Sequence, residues 1–204
     1  MSNVEAFEAG FIHRPQGEST HALAITHGAS SNCKSKLLLA IADAFVSAGF
    51  LVYRYDLPFR RARGSGSPHP SKAAADRDGI RQAIASLRTL VSGRVYAGGH
   101  SYGGRQTTMA ASEDSSLADG LLLFSYPLHP PGKPDQLRTA HFPDLRTPAL
   151  FVHGDRDPFG SLEEMHTALR LIPATHQLFA VEKAGHDLGR KHTELAGSIV
   201  SRLV

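Results

Sequence analysis

The sequence predicts an α/β fold in a single domain, residues 1–204: a mainly parallel sheet with helices on both faces and no large cap domain. Three observations carry that reading. Short apolar runs alternate with longer stretches of helical periodicity, the order a parallel sheet with crossover helices produces. The apolar runs lack a strict in–out alternation, as strands covered on both faces do. No internal repeat or low-complexity linker divides the chain, and its 204 residues are enough for one full core.

In chain order, the first twenty residues supply one or two edge strands. Residues 21–26 read as a buried strand and 34–48 as a helix, closed by Gly49 in the position of a C-cap glycine. A strand follows at 50–55, then a loop at 58–70 rich in Gly, Pro and basic residues. The periodicity of 71–91 is helical, and Gly93 stands where a second C-cap is expected. Residues 95–98, 120–125, 148–153 and 176–182 read as strands; 101–112, 161–171 and 187–203 read as helices. A second flanking loop runs over 126–148, with several prolines and too little length for a helical cap.

Bulk composition removes several classes of function. Hydrophobic residues make up 41% and charged residues 20%, an ordinary globular balance. No apolar run approaches the ~20 residues of a membrane helix, and the acidic N-terminus lacks the layout of a signal peptide. The one cysteine, Cys33, rules out an internal disulfide and suits a cytoplasmic location. A net charge of +3 is too small to mark a nucleic-acid partner, and neither nucleic acid nor membrane is expected. Twelve histidines occur without a metal-binding spacing, so no metal or cofactor is expected. Nothing indicates the oligomeric state.

The chemistry begins at Gly99-His100-Ser101-Tyr102-Gly103. A strand leads into it and a helix leads out, the context of a nucleophile elbow. A serine hydroxyl is a weak nucleophile and needs a base beside it. Glycines at 99 and 103 let strand and helix approach where a Cβ would collide. The base needs an orienting acid, and in this context the order is serine, acid, histidine. His186 follows the last strand. Asp155 and Asp157 both follow the strand at 148–153. Asp157 is the preferred acid, because Pro158 holds it extended and Asp155 suits a turn-capping role. The catalytic candidates are therefore Ser101, Asp157 and His186.

An oxyanion formed by attack on a carbonyl needs two N–H donors. Tyr102, after the nucleophile, offers one. Ala29 offers the second, with Ser30 next, on the loop His27-Gly28-Ala29-Ser30. Gly28, Ser30 and Tyr126 are candidate substrate-binding residues. Arg105, in the first turn of the elbow helix, opposes the helix dipole and is expected to pair with Asp56; the alternative is that it binds an acidic substrate group. Arg54, Arg60, Arg61 and Arg63 read as a solvated basic cluster or as an attractor of anionic substrates.

Taken together, the segments Thr26–Ala29, Gly99–Arg105, Ser125–Gly132, His153–Gly160 and Ala184–Asp187 resemble the α/β-hydrolase superfamily over residues 22–188. The likeness is to its small, capless, dienelactone-hydrolase-like branch, and within that to the group of testis-expressed hydrolase-like proteins and the hydrolase-like domain of a chromatin-complex subunit. The resemblance implies Ser101 as nucleophile, Asp157 as acid and His186 as base, with hydrolysis of an ester-like bond, a carboxylic ester or thioester, of a small substrate through an acyl-enzyme. The alternative is a non-catalytic binding or scaffolding module that keeps the fold.

Overall fold

The computed structural model describes residues 3–189 and 192–203. One eight-stranded sheet runs through them in the spatial order β1-β2-β4-β3-β5-β6-β7-β8. Its parallel body consists of β3 (Ala22–Thr26), β4 (Leu51–Tyr55), β5 (Val95–His100), β6 (Gly120–Phe124), β7 (Ala149–Gly154) and β8 (His176–Val181). The N-terminal residues form a hairpin of β1 (Asn3–Phe7) and β2 (Gly10–Arg14), which joins antiparallel at the β4 edge.

The central strands are apolar at nearly every position because each face meets a helical layer. In β3, Ala22 and Ala24 face one core, and Leu23 and Ile25 face the other. The first core lies under α3 (Ala73–Arg88), α4 (Tyr102–Glu113) and α5 (Leu162–Leu169); α3 contributes Ile80, Ile84 and Leu87. The second lies under α1 (Lys36–Ser47) and α6 (His192–Leu203), with Leu38, Ile41 and Phe45 from the former and Ile199 from the latter. Fully burying one such side chain stabilises by about 1.5–3 kcal/mol, so the two layers supply most of what holds the sheet.

Helix ends follow local chemistry. Ser35 caps α1 by accepting from Leu38 N–H. At its other end Gly49 takes φ +89°, and the N–H groups of Gly49 and Phe50 bond back to the carbonyls of Val46 and Phe45, a Schellman closure. The Phe45 and Phe50 rings meet edge to face at 5.2 Å across it. α5 opens with a reciprocal capping box between Ser161 and Glu164.

Three expectations need correction. Gly93 is not a helix cap: α3 ends at Arg88, while Gly93 N–H bonds to Thr20 O at 2.7 Å. A Cβ there would lie 2.5 Å from that oxygen, so close backbone approach is what demands glycine. The loop expected at 58–70 holds a short helix, α2 (Pro58–Ala62), started by a proline that fits a first helical turn. The last helix begins at His192; residues 187–189 form a turn with Gly189 at φ +75°, and 190–191 lie outside the described residues.

β3 sits between β4 and β5, so consecutive parallel strands leave it in opposite directions. Such a reversal opens a crevice at the carboxyl ends of the strands, where open α/β sheets bind ligands. The segments after β3 and after β5 both emerge there. The connection 125–148 on the same edge holds only one turn of 3₁₀ helix, Phe142–Asp144, and no cap domain.

Candidate active site

Ser101 occupies the turn between β5 and α4 with φ 50° and ψ −115°. That conformation strains a residue with a Cβ, at about 1–3 kcal/mol. It is held at both ends: Ser101 N–H donates to Phe124 O at 2.8 Å, and Ser101 O accepts from Arg105 N–H at 2.9 Å. The turn is tight. A Cβ on Gly103 would lie 2.5 Å from His27 O, and one on Gly99 2.9 Å from both Gly103 and Thr26 backbone.

His186 reaches this turn from the loop after β8. Its Nε2 lies 2.8 Å from Ser101 Oγ, and its Nδ1 lies 2.8 and 3.0 Å from the two Asp157 carboxylate oxygens. Nδ1–H donates to Asp157, and Nε2 then accepts from the serine hydroxyl. The Asp157 side chain is wholly buried and also accepts from Phe159 N–H at 2.9 Å. Asp155 is engaged elsewhere: its Oδ1 accepts from Ala184 N–H at 3.2 Å, tying the β7 loop to the loop that carries His186. A second bond, Arg156 N–H to Ala184 O at 2.9 Å, reinforces that tie.

Two neighbours that the sequence reading did not assign hold the imidazole. Phe159 stacks on it with ring centroids 4.2 Å apart. His100 donates from Nε2 to the backbone carbonyl of His186 at 2.8 Å. Burial pushes the His100 pKa down to about 4, so it serves as a neutral donor. His153 lies behind the acid, donating to Gly160 O at 2.8 Å and kept neutral by burial.

The loop after β3 faces Ser101 across the crevice. Gly28 O accepts from Ser31 N–H at 3.1 Å and from His27 Nδ1–H at 2.8 Å. The Gly28–Ala29 peptide is trans and planar, so pinning its carbonyl turns the Ala29 N–H the opposite way. Among the described residues neither Ala29 N–H nor Tyr102 N–H has a protein acceptor. His27 is desolvated and neutral, and its Nε2 accepts from Leu57 N–H at 3.2 Å. Arg60 grips the same loop from α2, donating to Ser31 O at 2.8 Å and to Ala29 O at 2.7 Å. Nothing local in the sequence marks Arg60 for this task; its signal is only that it follows Pro58 on a short helix.

A cavity of about 720 Å³ opens at Ser101, lined among others by Gly28, Ala29, Ser30, Tyr102, Phe159 and His186. Tyr126 does not line it, contrary to expectation. Its ring is buried against Phe142 and Phe151, and its hydroxyl donates to Arg138 O at 2.7 Å. The Arg105–Asp56 pair does not form either: Asp56 accepts from Cys33 N–H at 2.7 Å and sits 3.3 Å from His27 Nε2. Arg105 lines the cavity instead. The basic cluster is not a solvated patch throughout: Arg54 is buried, donating to His13 Nε2 at 2.8 Å and to Cys33 O, and Arg60 is buried as described.

A serine on a strand-to-helix turn at a switch-point crevice, faced by an imidazole paired with a buried carboxylate, is an arrangement found in α/β hydrolases. The chain belongs to the α/β hydrolase domain family, whose sequence profile matches residues 19–197. Among solved structures it is similar to an α/β serine hydrolase homologue from Coxiella burnetii, with a TM-score of 0.77 at 16% identity over 100% of this chain and 97% of that one. It is similar to a dienelactone hydrolase from Anabaena variabilis, with a TM-score of 0.76 at 18% identity over 98% and 96%. Identities this low establish the fold alone. Among curated proteins, ABHD14B of Pongo abelii, named as a candidate protein-lysine deacylase, is 35% identical over 69 residues, 34% of this chain and 31% of that protein. The match thus spans about a third of that relative's length.

Proposed function

We propose that the protein is a serine hydrolase that cleaves an ester-like bond, a carboxylic ester or thioester, of a small substrate through an acyl-enzyme. The observation that carries this reading is the unbroken hydrogen-bond path from Ser101 Oγ through His186 to buried Asp157, with both steps at 2.8 Å. Ser101 attacks the carbonyl carbon as His186 Nε2 takes its proton. Asp157 holds the Nδ1–H tautomer and stabilises the imidazolium. The oxyanion is received by the N–H groups of Tyr102 and Ala29, both free of acceptors among the described residues. His186 returns the proton to the leaving group. Water then enters, is deprotonated by the same imidazole, and releases the acid from Ser101.

The shallow cover over the cavity favours short acyl groups over long ones and supports a place in the dienelactone-hydrolase-like branch. Gly28 and Ser30 line the substrate's path. The test is labelling with a fluorophosphonate probe and hydrolysis of 4-nitrophenyl butyrate. Wild type should label and turn over, and Ser101→Ala should do neither. A folded wild type that neither labels nor hydrolyses would assign the fold to a binding role.

A further inference from the structure

Three guanidinium groups, those of Arg77, Arg105 and Arg138, line the Ser101 cavity, and no Asp or Glu does. Arg77 is neutralised from outside the cavity by Glu113 at 3.0 Å and shares Gln106 at 3.3 Å. The other two are not neutralised. Among the described residues no carboxylate lies within 4 Å of Arg105 or Arg138. Arg105 Nε is buried with no hydrogen-bond partner, although a buried guanidinium N–H is costly to leave unmade. Among the described residues the Arg138 side chain makes one bond, a long one of 3.3 Å to Pro127 O. The two cations are close enough that Arg105 helps lower the pKa of Arg138 and of His141. Repelling cations in a cavity wall, one with an unpaired N–H, have no counter-anion among the described residues.

We infer that Arg105 and Arg138 form an anion subsite beside Ser101, and that the substrate is an ester carrying a free carboxylate. This deepens the hydrolase reading and rests on it. Arg105 lies four residues after Ser101, on the same face and one turn along the helix, and long helical side chains lean back toward the N-terminus. A carboxylate held there sits a few bonds from the carbonyl that Ser101 attacks. The planar fork of a guanidinium matches a carboxylate with two parallel N–H···O bonds.

The experiment compares kcat/KM for matched ester pairs: monoethyl adipate against diethyl adipate, with the acid on the acyl side, and 4-acetoxybenzoate against its methyl ester, with the acid on the leaving side. Wild type should prefer the acidic member of one pair by about 10- to 100-fold, the size of a charge-assisted contact. In Arg105→Gln that ratio should collapse toward one, mainly through KM, and Arg105→Lys should restore part of it. Arg138→Gln, a loop substitution less exposed to folding failure, should lower the ratio as well. Hydrolysis of both members without preference, or a preference that survives both substitutions, overturns the subsite while the hydrolase reading stands. Tighter competition by inorganic phosphate than by free adipate overturns the carboxylate assignment. Absence of both fluorophosphonate labelling and ester turnover overturns the underlying reading, and this one with it.

Discussion

Ser101 is a strained residue, since its φ of 50° with ψ of −115° is a conformation that residues other than glycine avoid. Bonds to Phe124 O and from Arg105 N–H hold it there, so the strain is borne by rigid elements on both sides. Asp157 is the complementary case, an anion with no exposed side-chain surface that accepts from His186 and Phe159 N–H. Replacing it with Asn keeps the Phe159 bond and the shape but presents an N–H donor or a poorer acceptor to Nδ1. Asp157→Asn should then lower kcat by about 10⁴-fold with KM nearly unchanged, because it upsets the imidazole tautomer without moving the pocket. Steady-state kinetics on 4-nitrophenyl butyrate check this; a loss below tenfold would deny Asp157 the orienting role. Ser101 and His186 were readable as candidates from a few neighbours each. Asp157 was separable from Asp155 only by a preference for what Pro158 does to the backbone, and it is the Asp155–Ala184 bond that shows how the two carboxylates divide.

The segment after β3 presents a different problem, because the group that matters there is a backbone N–H rather than a side chain. Its shape depends on α2, five residues that pattern reading absorbed into a loop, since so short a helix completes barely more than one turn. Arg60 on that helix spends its guanidinium on carbonyls: those of Ala29, Ser31 and Gly66 at 2.7, 2.8 and 3.0 Å. Removing it frees the loop that aims the Ala29 N–H. Arg60→Ala should reduce kcat by about 10- to 100-fold, less than the 10²–10³ of losing an oxyanion donor outright. Arg60→Lys should rescue little, because an ammonium cannot span these carbonyls as a fork does. An unchanged kcat in Arg60→Ala would show that the loop keeps its shape without the clamp.

The whole molecule carries a pH signature in its buried histidines. Burial lowers His13 and His100 to about 4, and lowers His27 and His153 in the same direction. In the unfolded chain these imidazoles titrate near 6.5. Between those values the unfolded state binds more protons, so stability is fully present above about pH 6.5 and falls as pH drops toward 4. His13 alone, 1% exposed and accepting from Arg54, should cost on the order of 3 kcal/mol by the bottom of that range. Urea midpoints should drop steeply from pH 7 to pH 4.5, and a flat profile would mean these rings are hydrated in the native state. The same counting of buried groups explains why Arg54 and Arg60 were misread as a solvated basic loop: their spacing gives no hint that carbonyls and an imidazole wait for them.

The family and the fold class were legible without coordinates, because they depend on local periodicity, on glycine at turns and on a short motif whose context is a strand and a helix adjoining in sequence. The edge strands of the first twenty residues, the parallel body and the Gly49 closure belong to that category, whereas the pairing of β1 with β2 as a hairpin does not. What only the tertiary structure decided involves groups distant along the chain: that Tyr126 is buried in the core, that Asp56 serves Cys33 and His27, and that Arg105 is left facing the cavity. Pairing between such groups is set by the strand reversal at β3 and the packing of the loops upon it, and a buried charge takes whatever partner that packing brings within reach.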